Sequence, residues 1–169
     1  MIVSAADLPD FSRPTRSERL VILPQMEKWK NEVRFVEPSD DDPQMVNPIN
    51  GVAMEKFAID DVVIDRCPET GAIWLDRGEL SRLGALSKKG RALLKQIDRK
   101  PKGKAKTHTR GELVSPQNGT EMMVVVRDPH QPHIEFEMCP VSGGCYFDPG
   151  ELVDMIDYSF VERVRSFFR

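Results

Sequence analysis

Three cysteines are the residues of this sequence best suited to chemistry, because a thiolate is both a nucleophile and a soft metal ligand. They are Cys67, Cys139 and Cys145. An odd, low number of cysteines argues against a secreted disulfide framework and indicates a reducing compartment. No nucleophile is paired with a base, and the sequence contains no G-x-S-x-G, no glycine-rich phosphate loop and no H-E-x-x-H. We therefore expect no enzymatic activity.

Two of the cysteines begin similar stretches of sequence. Residues 67–80 read CPETGAIWLDRGEL and residues 139–152 read CPVSGGCYFDPGEL, with seven of the fourteen positions identical. Two earlier stretches match more weakly, NPINGVAM from Asn47 and SPQNGTEM from Ser115. This pattern indicates an internal repeat, and a repeat decides the architecture of a chain.

The repeated stretches resemble the bacterial zinc-ribbon family named after transcription factor IIB, whose second half reads C-P-x-C-G-G-x-W-L-D-x-G-E-L. The resemblance covers about residues 47–86 and 115–155. It implies two turns in each copy that present four thiolates to one tetrahedral zinc. The corresponding positions hold Asn47, Asn50, Cys67 and Thr70 in the first copy, and Ser115, Asn118, Cys139 and Ser142 in the second.

Only one thiol of the four remains in each copy. Neutral amides and hydroxyls are poor zinc ligands, and a single thiolate cannot hold a structural zinc. We therefore expect no zinc and no other cofactor, and we expect hydrogen bonds from these side chains to keep the turns closed. An alternative metal site combines His130 and His133 with Cys139 and Cys145.

The acidic D-x-G-E-L pattern has a structural explanation. We interpret Asp76 and Asp148 as the N-caps of two helices, with Glu79 and Glu151 bonding back to them as in a capping box. Pro149 then falls at the first helical position.

The order of predicted elements gives an α+β fold class. Alternating apolar and polar residues over 53–59 and 62–66, and again over 121–127 and 134–138, predict two hairpins. A helix after Glu79 continues or restarts through Leu93 to Ile97, and a final helix runs from Pro149 to about Phe168. The resemblance implies that each hairpin and the helix after it form a zinc-ribbon-like module. The predicted domains are an N-terminal extension (1–45), module 1 with its helix (46–98), a basic linker (99–112) and module 2 with the C-terminal helix (113–169).

Charge is unevenly distributed along a chain whose net charge is −3. One stretch is strongly basic, and we interpret it as a solvated linker with contact to nucleic acid as the alternative. We assign no role to His108 within it. Its basic residues are Lys88, Lys89, Arg91, Lys95, Arg99, Lys100, Lys102, Lys104, Lys106 and Arg110.

The remaining features concern location and partners. The N-terminus lacks the basic and long apolar regions of a secretory signal, and no apolar run approaches the ~18 residues of a membrane helix. We expect a cytoplasmic protein without membrane insertion. We predict an adaptor or assembly subunit that binds another protein or a larger complex. The alternative is a nucleic-acid or transcription-machinery binding protein that uses the basic stretch, and homodimerisation through the last helix also remains open.

Overall fold

The computed structural model describes residues 27–101, 108–127 and 132–157. The chain divides into two compact units, Met1–Glu32 and Val33–Arg169. The predicted boundary between residues 45 and 46 therefore falls inside the second unit. In the first unit the described residues form a short 3-10 helix, Lys28–Asn31, with Lys30 Nζ 5.7 Å from the ring centroid of Trp29.

The second unit is built on one seven-stranded sheet in which every neighbouring pair of strands is antiparallel. The strand order is β1-β2-β3-β4-β7-β6-β5. Together with three short helices, this sheet confirms the predicted α+β class. The strands are β1 Arg34–Phe35, β2 Glu55–Ile59, β3 Val62–Arg66, β4 Ile73–Leu75, β5 Val124–Arg127, β6 Glu135–Met138 and β7 Cys145–Phe147.

Both predicted hairpins are present, with shorter strands than the alternation of residues indicates. β2 pairs with β3 from Glu55↔Arg66 to Ile59↔Val62, and β5 pairs with β6 from Val124↔Met138 to Arg127↔Glu135. The hairpins meet through β4 and β7 at the centre of the sheet, where Trp74 lies opposite Tyr146. The two aromatic residues that correspond in the repeated sequence are therefore neighbours.

The stretch after Glu79 forms two helices rather than one, α1 Glu79–Leu83 and α2 Lys88–Ile97. α2 restarts at Ser87, whose Oγ accepts a hydrogen bond from the N–H of Gly90 at 2.9 Å. A third helix, α3, covers Glu151–Asp157, and the rest of the predicted final helix lies outside the described residues.

The capping prediction needs a correction. Glu79 and Glu151 do bond back, each accepting from the N–H of the aspartate three residues earlier at 2.8 Å. The Asp76 side chain does not cap α1, because its Oδ1 accepts a hydrogen bond from Trp74 Nε1 at 2.8 Å. Gly78, with a φ of 91°, occupies the N-cap position instead, so the helix starts too far along the chain for Asp76 to reach it.

A continuous core lies against the faces of Trp74 and Tyr146 in the two central strands. It brings Cys67 and Cys139, the cysteines that begin the two repeated stretches, into one apolar cluster. The other buried members are Met45, Met54, Ala72, Leu113 and Met123. The turns that carry the predicted site residues therefore lie at the border of this core.

Candidate functional site

Each of the two repeated stretches contributes two tight turns. The first turn pair comprises residues 47–51 and 67–71, and the second turn pair comprises residues 115–119 and 139–143. In all four turns the closing glycine donates its N–H to the carbonyl oxygen four residues earlier, at 2.7–2.9 Å. All four glycines have φ between 70° and 77°, a conformation that side chains with a Cβ rarely adopt.

Side chains bridge the two turns of the first turn pair. Asn47 Nδ2 donates to Thr70 Oγ1 at 3.1 Å, and Asn50 Nδ2 donates to the sulfur of Cys67 at 3.8 Å. Asn47, Cys67 and Thr70 are buried. The four predicted positions of this copy therefore form one hydrogen-bonded cluster.

The remaining polar atoms of this cluster also have partners. Asn47 Oδ1 accepts from the N–H of Ile49 and from the hydroxyl of Tyr146, both at 3.1 Å. Burial holds the pKa of the Tyr146 phenol above its usual value, so the hydroxyl keeps the proton that it donates. Since Tyr146 belongs to β7, this bond ties the first turn pair to the other half of the sheet.

The second turn pair is closed differently. Ser142 donates its N–H to the sulfur of Cys139 at 3.4 Å, and Ser115 Oγ accepts from the N–H of Gln117 at 3.3 Å. Asn118 is exposed, and its Oδ1 accepts from the N–H groups of Thr120 and Glu121 within its own turn. The amide that bridges two turns in the first pair therefore serves a single turn in the second.

Both buried thiols act as hydrogen-bond acceptors. Burial by itself raises the pKa of Cys67, but hydrogen bonds from Thr70, Asn47 and nearby backbone N–H groups outweigh it and lower the pKa. For Cys139 burial is again outweighed, by hydrogen bonds from Ser142, Ser115 and backbone N–H groups, and its pKa is also lowered. Cys145 differs, because burial raises its pKa to about 12.

One comparison with known proteins matches part of the first half of this sheet. Residues 50–86, which contain the first hairpin, β4 and α1, match the family model described as transcription factor zinc-finger. This segment is a zinc ribbon of the TFIIB type. No curated protein and no solved structure matches the chain.

The positions that the sequence resemblance assigns to zinc ligands in the first turn pair hold one thiol, two amides and one hydroxyl, a poor donor set for zinc. Asn47 Nδ2 and Thr70 Oγ1 are already hydrogen-bonded to each other at 3.1 Å. An amide nitrogen also has no free lone pair for a metal. Across residues 27–101, 108–127 and 132–157 there is no group of three or more His, Cys, Asp or Glu side chains that could hold a metal ion.

The structure describes three of the four residues of the alternative metal site. His130 lies outside the described residues, and His133 is exposed in the turn before β6. Cys145 pairs across the sheet with Met138 and Leu75. The expectation of a mixed His/Cys site stays untested at His130.

A buried ionic cluster beside the second turn pair corrects our interpretation of His108. Its Nε2 lies 2.8 Å from Glu137 Oε2, and the N–H of Gly111 donates to the other oxygen at 2.8 Å. Arg110 also lies in this cluster and pairs with Glu151. His108 and the N–H of Gly111 therefore satisfy the fully buried carboxylate of Glu137, with Arg110 Nη1 3.8 Å from it, so these residues are not part of a solvated linker.

The first half of the sheet holds a corresponding buried carboxylate, Asp65, which lies 72 positions before Glu137. Lys56 Nζ contacts Asp65 at 2.9 Å and also pairs with Asp42. Burial raises the pKa of Asp65 to about 7 despite the nearby lysine. For Lys56, hydrogen bonds to the two carboxylates outweigh burial and raise the pKa, so the ammonium stays charged.

The remaining basic residues lie on α2, directly after it, or outside the described residues. Lys88, Lys89, Arg91 and Lys95 are exposed on α2, and Arg99 and Lys100 are exposed after it. Arg91 donates to the carbonyl oxygen of Gly84 at 2.8 Å. Lys102, Lys104 and Lys106 lie outside the described residues, which also contain no helix long and apolar enough to cross a membrane.

Proposed function

We propose that this protein is a non-enzymatic adaptor or assembly subunit of a reducing, cytoplasmic compartment. Its scaffold is a duplicated zinc ribbon in which hydrogen bonds hold the turns that thiolates and zinc hold in the family. It binds another protein by adding a strand of that partner to the open edge of its sheet. The zinc-free scaffold and the strand-binding edge are supported by separate observations and tested separately.

The zinc-free scaffold is supported by the bonding of both turn pairs. Cys67 donates its N–H to Ala72 and Cys139 donates its N–H to Gly144, each at 2.8 Å and at matching sequence positions. Asn47 and Asn50 occupy their oxygens with turn N–H groups and direct their NH₂ groups across the gap. A metal is therefore unnecessary to satisfy the buried polar atoms of the first turn pair.

Elemental analysis tests this scaffold. Protein purified without chelator from zinc-supplemented cells should contain well under one zinc per chain. The variant Asn47→Cys/Asn50→Cys/Thr70→Cys restores four thiols to the first turn pair and should bind one zinc per chain, which shows that the assay detects a ribbon site. Stoichiometric zinc in the unaltered protein would overturn this part of the proposal.

The observation that carries the binding function is the difference between the two ends of the sheet. The outer side of β2 pairs with β1 through Arg34↔Ala58 and Phe35↔Phe57. β5 lies at the other end. Val114 forms an isolated bridge with Met122 just before it, and within the part of the chain that the structure describes no strand pairs with the outer side of Val124–Arg127. Three apolar side chains at this edge are exposed, Met122 by 50%, Val124 by 42% and Val125 by 37%.

The backbone at this edge is oriented for strand addition. Met123 donates its N–H to the carbonyl oxygen of Leu113 at 2.8 Å, on the side of the strand away from β6. Backbone groups alternate in direction along a strand, so the N–H and C=O of Val125 point to that same outer side. An exposed apolar edge of this kind binds an extended segment through backbone hydrogen bonds, with pockets for alternate side chains.

A proline substitution separates binding from folding. Val125→Pro removes the outward N–H but no bond to β6, so β5 should remain paired with β6. Val125→Thr keeps the N–H and is the matched control. We expect a set of proteins that co-purifies with the unaltered chain and with Val125→Thr but is lost with Val125→Pro.

Two results would contradict strand addition at β5. One is a partner that binds the proline variant as tightly as the control. The other is strong hydrogen-exchange protection of the Val125 amide in the isolated monomer, since an edge that is already paired cannot accept a partner strand. Light scattering distinguishes a third case, in which the proline-sensitive partner is a second copy of the chain.

A further inference from the structure

α2 presents a face of uniform charge that neither the ribbon nor the β5 edge uses. The helix buries Gly90, Leu93, Leu94 and Ile97. Lys88, Arg91 and Lys95 follow each other at spacings of three and four, so they form one stripe on the opposite side. Lys89 flanks the stripe, and Arg99 and Lys100 extend the exposed positive charge beyond the end of the helix.

Acidic residues are scarce within the same segment. Residues 88–100 are all described and contain a single acid, Asp98. Asp98 is buried and accepts hydrogen bonds from the N–H groups of Gly150 and Val153, both at 2.8 Å. On the neighbouring elements Asp60 bonds to Ser87, and Asp154 is exposed on α3. Six exposed cations thus stand in a chain whose net charge is −3.

We propose that α2 and the two residues that follow Asp98 form a phosphate-binding face for nucleic acid. The partner is chosen by charge complementarity, since a polyphosphate backbone supplies regularly spaced anions that clustered lysines and arginines attract. The uncharged residues exposed on this side of the helix are Ala92 and Gln96. With no aromatic group to stack on bases, binding should be insensitive to sequence.

The composition of the face argues against two other anionic partners. A helix that lies on a membrane needs an outward apolar side, whereas the apolar side of α2 is buried in the protein core. Protein interfaces are depleted of lysine and enriched in aromatic residues at their centres, the reverse of what α2 exposes. The face also lies outside residues 50–86, so it does not depend on the family match.

The first experiment measures binding of the full chain to a labelled 20-base-pair duplex of mixed sequence by fluorescence anisotropy. We expect binding at 50 mM salt that weakens roughly 100-fold at 200 mM, the loss that about four phosphate contacts produce. A scrambled duplex of the same length should bind equally well. Absence of binding at 50 mM salt would overturn the proposal.

A matched pair of variants distinguishes a localised face from overall charge. Lys88→Gln/Lys89→Gln/Lys100→Gln removes three exposed cations of the face and leaves Arg91, which closes the loop before α2. Arg34→Gln/Arg77→Gln/Arg127→Gln removes the same charge from exposed positions elsewhere. We expect the first variant to bind at least 10-fold more weakly, with a salt slope reduced by about 2 to 3, and the second to bind within twofold of the unaltered chain.

Three outcomes contradict the proposal. Equal losses in the two variants would mean that overall charge and not α2 is responsible. Equal or tighter binding to phosphatidylserine vesicles would assign the face to a membrane, and equal or tighter binding to polyglutamate would assign it to an acidic protein. Circular dichroism of both variants confirms that each is folded before the affinities are compared.

Discussion

The two turn pairs have the same backbone conformation but are held by different side-chain hydrogen bonds. In the first, two asparagines bridge from one turn to the other, and Tyr146 joins them from β7. In the second, the position of Asn47 is occupied by Ser115, whose side chain is shorter. The side chain of Asn118 bonds only within its own turn. The comparison teaches that one turn geometry tolerates several hydrogen-bonding solutions, provided that the buried sulfur and the turn N–H groups have partners.

The largest expected effect concerns the glycine that accommodates Trp74. A Cβ at Gly144 would overlap the six-membered ring of Trp74, whereas the corresponding position of the first stretch already holds Ala72. We expect Gly144→Ala to lower the free energy of unfolding by about 3 kcal/mol through overpacking. Ala72→Gly should cost only about 1 kcal/mol. Urea denaturation measures both.

A second substitution shows whether overpacking is the cause. Trp74→Tyr removes the fused ring that the new methyl group would meet. We expect the double variant Gly144→Ala/Trp74→Tyr to be more stable than the sum of the two single changes, by about 1 kcal/mol or more. Strict additivity would show that the cost of Gly144→Ala arises elsewhere.

The next effect separates the two turn pairs directly. Asn47→Ala removes the partner of the Ile49 N–H and of the Tyr146 hydroxyl, and one of two donors to Thr70 Oγ1, so the free energy of unfolding should fall by about 2 to 3 kcal/mol. Ser115→Ala, at the matching position, removes fewer bonds and should cost about 1 kcal/mol. Equal costs in urea denaturation would contradict the expectation that the Asn47 amide secures its turn pair with more hydrogen bonds than the Ser115 hydroxyl does.

The expected pH dependence belongs to the first half of the sheet. Burial raises the pKa of Asp65 to about 7 and that of Glu79 to about 8, while carboxyls of the unfolded chain titrate near ~4. The folded protein therefore binds protons that the unfolded chain releases, and stability falls as pH rises between these values. We expect urea denaturation to give a free energy of unfolding that falls steadily as the pH is raised from 5 to 8.

Variants assign this slope to the two carboxyls. Asp65→Asn/Glu79→Gln should make the free energy of unfolding depend less steeply on pH over the same range, with a remainder from Asp98, whose pKa is also raised by burial. Glu37→Gln/Asp41→Asn changes two exposed acids and should leave the slope unchanged. Retention of the full slope in the first variant would place the proton uptake on other groups.

Much of the fold follows from local sequence patterns, because the information lies within a few residues. The alternation of apolar and polar residues locates both hairpins. The dipeptides Asn-Gly, Thr-Gly and Ser-Gly indicate where a glycine with positive φ closes each turn. The glutamates that bond back to their helices were predictable from the same kind of spacing. The place of Asp76 was not, since the positive φ of Gly78 shifts the helix start beyond its reach.

The ionic clusters could not be predicted from local patterns. Lys56 and Asp65 are cross-strand partners, a relation that a refined hairpin register would have indicated. His108 and Glu137 are 29 positions apart, and only the folded chain brings the linker histidine to β6. The available signal was the pair Asp65 and Glu137, which lie at matching positions just before the two repeated stretches and among residues of buried strands. A buried carboxylate requires a nearby cation or N–H donor.

The central claim is that hydrogen bonds and not a metal close the turns of this zinc ribbon. The most direct test is refolding from urea in the presence of a chelator, followed by a thermal melt with and without one equivalent of added zinc. The account predicts full recovery of the native circular dichroism spectrum and the same melting midpoint in both samples. Failure to refold in chelator, or a midpoint that rises by several degrees when zinc is added, would contradict it.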